Sequence, residues 1–276
     1  MIPPFHWWRT VFWLIPAIAV YTIVLGALSL VSAMVDRRGH FAHGCARTWS
    51  WLILATTGVR VRATGLDRVT RDGAYLFVSN HQSIYDTPIL WATLPFQLRI
   101  IAKASLGAFP ILGWHLRSAG HLLVDRARPG KATLNRIGEL MGQGQSLSVY
   151  AEGTRSRDGR VGSFKPGLFL LAVDAGLPVV PVAIVGSRHV MQKGRLMTCP
   201  GEVELVVHDP ISTESLGRGD VRELARRTES VVTATVRARS PEVDALNGLV
   251  GADLERGRDR SSSSSSTAGG PPAEQR

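Results

Sequence analysis

Ser79-Asn80-His81-Gln82-Ser83-Ile84-Tyr85-Asp86 decides how this chain folds. Ahead of it stands Ala74-Tyr75-Leu76-Phe77-Val78, a short continuous apolar run that predicts a buried strand. Behind it, Thr87-Pro88-Ile89-Leu90-Trp91-Ala92 opens a helix, with Pro88 in the first turn, where a missing N–H costs nothing. A histidine therefore sits on a strand-to-helix loop, and a carboxylate sits where the helix begins. On one continuous helix, residues five apart point about 140° away from each other. His81 and Asp86 meet only if the loop curls back and Asp86 lies in or near the first helical turn. Two readings stand side by side here: His81 is a base oriented by Asp86, or Asp86 is a helix N-cap and His81 an ordinary loop residue.

Outward from this loop, strands and helices alternate. Val59 to Ala63 alternates as a strand does, and Leu98 to Ala102 predicts a strand ending at Lys103. Leu106 to Trp114 is apolar but broken by Gly107, Pro110 and Gly113, which predicts a pocket wall or an interrupted helix. Gly120 to Arg126 reads as a strand carrying Asp125-Arg126 at its end, Lys131 to Met141 as an amphipathic helix, and Ser146 to Ala151 as a strand leading into Glu152-Gly153-Thr154-Arg155-Ser156. An apolar helix follows from Leu168 to Ala175. Val179 to Val185 is a strand interrupted by Pro181, which places it at an edge or a bulge. Glu202 to Val207 alternates, and Asp220 is expected to cap a last helix from Val221 to Ala238. The arginines of that helix read as a solvated face or as contacts to lipid phosphates. The alternation predicts one α/β domain, a mixed sheet flanked by helices. Polar clusters recur at strand ends, where open α/β sheets place their sites.

The amino-terminal part carries no charge from Val11 to Val35. At about 1.5 Å per residue, such a helix exceeds the roughly 30 Å hydrocarbon core of a bilayer. Trp7, Trp8 and Trp13 lie at its start, where aromatic belts form. Its length argues against a cleaved signal. Pro16 and Gly26 leave open a division into two shorter interfacial helices. Phe41 to Gly58 is too short to span and reads as a helix at the interface or beneath the domain. Residues 1–44 are thus expected to anchor the chain, 45–245 to form the domain, and 246–276, with its serine run, to be a disordered polar tail. Arg37, Arg38 and Arg47 after the run place the domain on the cytoplasmic side of the cell membrane. Cys45 and Cys199 offer neither a disulfide framework nor a metal pattern, and His40, His43 and Cys45 lack a fourth ligand.

The net charge of +10 points to anionic partners. No nucleophile elbow, P-loop or GxGxxG is present, and no nucleic-acid module appears. What remains is a base, His81, among cations, Lys103, Arg126 and Arg155, the last two able to grip phosphate with a planar fork. On an anchored domain, that combination suggests a hydroxyl substrate carrying phosphate and lipid, whose oxygen attacks an activated acyl carbonyl.

The blocks that carry this chemistry resemble those of the glycerolipid acyltransferases, the lysophosphatidic acid acyltransferase family. Asn80-His81-Gln82-Ser83 with Asp86 is similar to that family's NHxSxxD block. Lys103 to Gly113, Val124-Asp125-Arg126, Glu152 to Ser156, Phe164-Lys165-Pro166-Gly167 and Val180-Pro181-Val182 resemble the later blocks, in order, over about residues 60 to 210. The resemblance implies that His81 is the base and Asp86 its partner. It implies that Lys103, Arg126 and Arg155 bind the acceptor's phosphate, that Glu152, Gly153 and Thr154 shape the acceptor site, and that Pro181 helps form the acyl-donor pocket. It further implies transfer from acyl-CoA or acyl-carrier protein to lysophosphatidic acid with no metal or other cofactor. The family usually has Phe-Pro before its Glu-Gly-Thr-Arg-Ser, where this chain has Tyr150-Ala151. The departure bears on acceptor geometry and leaves another lysolipid, such as a lyso-ornithine lipid, as an alternative. A basic membrane protein that binds anionic lipid without catalysis explains the anchor and the charge, but not His81-Asp86 or Glu152 to Ser156.

Overall fold

The computed structural model describes residues 4–32, 34–36, 39–124, 135, 139–140 and 145–240, with Lys103 and Val124 described by backbone alone. Arg126, most of the Lys131 to Met141 segment and the 246–276 tail lie outside the described residues.

The chain begins with α1 (Phe5–Ser32), one helix rather than two. Pro16 does not break it: a π-helical turn, Thr10–Leu14, stands directly ahead. Such a turn relieves the loss of the N–H that Phe12 would otherwise bond. Gly26 is helical too, and its bare Cα admits Ile111, whose Cγ2 lies 2.4 Å from where a Cβ would stand. Antiparallel to α1 runs α2 (His40–Thr57), bracketed by Gly39 and Gly58 in the left-handed region. One face of α2, including Ala46, Ile53 and Leu54, is buried, while Phe41 and Trp51 face outward. On α1, Phe5, Trp8, Phe12, Trp13, Val24 and Val31 are exposed. The amino end of α1 is pinned to the domain: Arg9 Nη2 donates to Thr57 O and Thr198 O, and Thr10 Oγ1 accepts from Thr198 N at 2.9 Å.

The domain is a seven-stranded sheet in the order β1-β7-β6-β2-β5-β3-β4. Its strands are β1 (Val59–Thr64), β2 (Leu76–Ser79), β3 (Leu98–Lys103), β4 (Leu122–Val124), β5 (Ser146–Tyr150), β6 (Val179–Val185) and β7 (Gly201–Val207). Neighbours run parallel except β6 and β7. The carboxyl ends of β2, β3, β4, β5 and β6 therefore open onto one rim. Helices connect and cover the strands: α3 (Asp86–Thr93), α4 (Leu112–Ser118), α5 (Phe169–Asp174), α6 (Ser187–Val190) and α7 (Val221–Arg239). Alternate residues of each central strand serve opposite faces. Leu76, Val78, Val149 and Val179 pack with Phe169 of α5 and with Leu224 and Val232 of α7. Phe77, Val180, Val182 and Leu205 pack with Ile53 of α2 and with Ile89 and Leu90 of α3. Burying such side chains contributes about 1.5–3 kcal/mol each before conformational entropy is set against it.

One expectation is narrowed to one of its two alternatives, and one is corrected. Pro181 does not mark an edge, since β6 lies between β7 and β2. Val182 faces Val207 and Val179 faces Ile211, so the chain beyond β7 has one residue too many: a bulge. Pro181 stands at that bulge, its carbonyl accepting from His208 N, where no ladder N–H is required. Nor does Asp220 cap α7. Its carboxylate accepts from Gly217 N at 2.8 Å and closes the preceding turn. The interrupted helix is seen as a 3₁₀ stretch, Ala104–Ala108, followed by α4. At the joint between them, Ile111 takes the left-handed φ of 64°.

Candidate active site

β2 delivers the loop to the rim, and Asn80 fixes its exit. The buried Asn80 amide donates to Ile184 O and its carbonyl accepts from Ile184 N, both at 2.8 Å. The side chain thus continues the β2–β6 ladder for one more step while the main chain turns away.

The turn curls back as the spacing requires. Asp86 is the first residue of α3, and its Oδ2 lies 2.7 Å from His81 Nδ1. The same oxygen accepts from Gln82 N at 2.8 Å and Ser83 N at 2.9 Å. Its Oδ1 is buried with no hydrogen-bond partner among the described residues. Helix start and His–Asp pair are therefore one structure. With Nδ1–H donating to the carboxylate, Nε2 carries the free lone pair. The His81 side chain is 12% exposed and Asp86 wholly buried, so the pair presents only the imidazole to solvent.

β5, beside β2, supplies the floor. The Tyr150 ring stacks on the His81 ring at 3.9 Å and 12°. The Tyr150 hydroxyl lies 3.0 Å from Thr87 Oγ1, in the first turn of α3. Ala151 uses an N–H that proline lacks, donating to Ser79 O at 3.4 Å.

Glu152 is turned inward. Oε1 accepts from His81 N at 2.8 Å and Oε2 from Gly162 N at 3.0 Å. Burial lifts its pKa from the ordinary 4.5 to about 7, against the pull of those two N–H groups. Gly153 has a φ of 74°, and a Cβ there would stand 2.9 Å from Lys165 Nζ. Ser156 N donates to His81 O at 2.7 Å, and Gln82 Nε2 to Gly159 O at 2.8 Å, so the 152–160 loop is laced to the histidine loop.

The structure brings together His81, Asp86, Glu152, Gly153, Thr154 and Arg155. The half-buried Arg155 guanidinium has no hydrogen bond or ion pair among the described residues. Lys103 closes β3, with β5 between it and β2; Arg126 lies outside the described residues. Pro181 is not at the rim. It is buried within β6 opposite Val78, on the face covered by α5 and α7.

Some partners escaped sequence reasoning. Tyr150 lies far from His81 along the chain. Lys193 donates to Thr154 Oγ1 at 3.0 Å and Arg155 O at 2.8 Å from an irregular segment after α6. Ser83 Oγ holds that segment through Met191 O. Only the order of the strands, which puts β5 and β6 on either side of β2, could have pointed to them.

Residues 60–185 match the family model described as Acyltransferase. A 1-acyl-sn-glycerol-3-phosphate acyltransferase of Pseudomonas aeruginosa is 30% identical over 195 residues, covering 69% of this chain and 74% of the relative. A chloroplastic 1-acyl-sn-glycerol-3-phosphate acyltransferase of Brassica napus is 30% identical over 201 residues, 71% of this chain. The chain spans 58% of the length of that relative and 49% of a chloroplastic Arabidopsis thaliana one. The crystal structure of the 1-acyl-sn-glycerophosphate acyltransferase PlsC from Thermotoga maritima superposes with a TM-score of 0.73 at 28% identity, covering 83% of this chain and 94% of that one. With a histidine–aspartate pair at the rim of this sheet and relatives of this extent, the chain belongs to the 1-acyl-sn-glycerol-3-phosphate acyltransferase family.

Proposed function

We propose that this protein transfers a fatty acyl group from a thioester donor, acyl-CoA or acyl-carrier protein, to the free hydroxyl of lysophosphatidic acid, giving phosphatidic acid. The observation that carries the reading is the 2.7 Å His81–Asp86 pair, laced through Ser156 N to the loop that bears Arg155, whose guanidinium has no partner among the described residues.

The acceptor's phosphate sits against Arg155, with Lys103 and Arg126 as the further cations of the family pattern. Its hydroxyl then reaches His81 Nε2. As the oxygen attacks the thioester carbonyl, its proton passes to Nε2, and Asp86 stabilises the resulting imidazolium through Nδ1–H. Collapse of the tetrahedral intermediate expels the thiolate, which takes that proton. Thioester and alcohol become ester and thiol, so the step balances with no redox partner or metal. Glu152 acts through His81 and Gly162, whose N–H groups it holds, rather than by touching the acceptor.

The exposed apolar side chains of α1 and α2 support docking on the cytoplasmic face of the cell membrane, where both substrate chains are at hand. Purified protein in mixed micelles, given radiolabelled acyl donors and a panel of lysolipids, tests the reading. Turnover is expected with lysophosphatidic acid and lost in His81→Ala. Preference for a lysolipid without a phosphomonoester moves the acceptor assignment, and an active His81→Ala enzyme overturns the mechanism.

A further inference from the structure

Several arginines elsewhere on the domain surface are paired with carboxylates, while Arg60, Arg71, Arg222, Arg227 and Arg237 are exposed with no ion pair among the described residues. Arg62 pairs with Glu202, Arg218 with Asp174, Arg226 with Glu223 and Arg239 with Glu204, at 2.5 to 3.0 Å. α6 and the segment after it behave differently. Arg188 donates Nε and Nη2 to Arg157 O at 3.3 and 3.1 Å. Lys193 donates to Thr154 Oγ1 and Arg155 O. Gln192 to Arg195 form a turn, with Arg195 N donating to Gln192 O and Gly194 at φ 85°, which leaves Arg195 exposed. Among the described residues, no carboxylate lies within ion-pair distance of Arg157, Arg188, Lys193 or Arg195. Arg188 and Lys193 are thus held in place by main-chain carbonyls, which orient a cation without cancelling its charge. Lys193 keeps one N–H free and Arg188 its Nη1 group.

This set sits beside the catalytic loop without belonging to the acceptor's cations. Ser156 N ties the 155–157 stretch to His81 O, and Ser83 Oγ ties the opposite segment to Met191 O. The first attachment is at His81 itself and the second is two residues on. The reaction has two anionic substrates, and Arg155 serves only one of them. We propose that Arg157, Arg188, Lys193 and Arg195 form the site for the phosphorylated head of the acyl donor. The shared chemistry is the phosphate of the pantetheine arm, present in acyl-CoA and in acyl-carrier protein alike. Preoriented cations without carboxylate partners are what phosphate oxygens require. An anionic bilayer is the weaker occupant. The exposed aromatics lie on α1 and α2 and at Phe109 and Trp114 by α4, none of them in the 188–195 segment, and Arg188 and Lys193 are turned onto the site loop rather than outward. This inference rests on the acyl-transfer reading above.

The test uses the whole 276-residue chain with Arg188→Gln combined with Arg195→Glu, and Arg195→Glu alone, since Arg195 makes no side-chain hydrogen bond among the described residues. KM is measured for palmitoyl-CoA, palmitoyl-acyl-carrier protein, palmitoyl-pantetheine, which lacks the phosphate, and lysophosphatidic acid. In the double variant, KM for the phosphorylated donors rises roughly tenfold, the scale of one charged hydrogen bond. KM for palmitoyl-pantetheine and for lysophosphatidic acid stays within about twofold. A rise for CoA alone or for carrier protein alone supports the site and identifies its source. An equal rise with palmitoyl-pantetheine, a rise for the acceptor instead, or unchanged KM values with weakened binding to phosphatidylglycerol vesicles overturns the site. Wild-type protein that turns over no donor overturns the acyl-transfer reading itself.

Discussion

His81 lies flat on Tyr150, ring centroids 3.9 Å apart and planes 12° apart, while the Tyr150 hydroxyl reaches Thr87. The stack fixes the plane of the imidazole and the tether fixes the stack to α3, the helix that begins with Asp86. Tyr150→Phe keeps the stack and loses one hydroxyl hydrogen bond, about 1 kcal/mol of stability, with kcat within a few fold. Tyr150→Leu removes the floor and is expected to lower kcat roughly tenfold at unchanged acceptor KM. Steady-state kinetics on the two variants separates stacking from tethering.

Asp86→Asn keeps the shape and removes the charge: Gln82 N and Ser83 N hold the amide oxygen in the place of Oδ2, where it still accepts from Nδ1–H, but a neutral amide no longer stabilises the imidazolium. A loss of roughly 10²-fold or more in kcat is expected, the scale of weakened general-base catalysis. KM for the acceptor should hold, because Asp86 is wholly buried. A variant with near-normal kcat would remove Asp86 from the mechanism.

Glu152 carries the pH dependence. Burial raises its folded-state pKa from 4.5 to about 7. Between those values the folded chain holds a proton that the unfolded chain has released. Unfolding free energy therefore falls as pH rises through that window, then levels off. Only the ionised form can accept with both oxygens from His81 N and Gly162 N, so the loops are fully laced above about pH 7. Activity should rise on an acid limb near 7. Glu152→Gln abolishes the stability slope in denaturant titrations at several pH values. It also costs about 1–3 kcal/mol, because the amide leaves one buried N–H without its acceptor.

Ala151 stands where relatives of the family usually have proline. Ala151→Pro forfeits the long bond to Ser79 O, about 0.5–1 kcal/mol, and gains about 0.4–1 kcal/mol from a stiffer unfolded chain. Near-neutral thermal stability is expected. By contrast, Gly153→Ala meets Lys165 Nζ at a left-handed φ and should cost about 1–2 kcal/mol, with a raised acceptor KM from a displaced Arg155. Melting curves for the pair discriminate the two backbone positions.

The local half of the site was legible. Asn80 to Asp86 is a strand end, a turn and a helix start, and each has a signature within a few residues. What the sequence withholds is lateral order. Nothing in Tyr150 announces that β5 will lie beside β2 and slide its ring under His81. Nothing in Pro181 distinguishes an edge from a central strand whose neighbour bulges. Asp220 carries the signature of a cap, yet Gly217 N competes for the same carboxylate and wins. Lys193 belongs to a segment without periodicity, and only the fold turns it toward Arg155.

The pinning of α1 has a mechanical consequence. Its amino end is bonded to Thr57 and Thr198, Tyr85 beside Asp86 donates to Thr198 Oγ1 at 3.2 Å, and farther along, Gly26 receives Ile111. Helix and catalytic loop are thus parts of one lever, with no swivel between them. Whatever surface takes up the apolar side of α1 also fixes the height and tilt of His81 above it, and a substrate meets the histidine only at that depth.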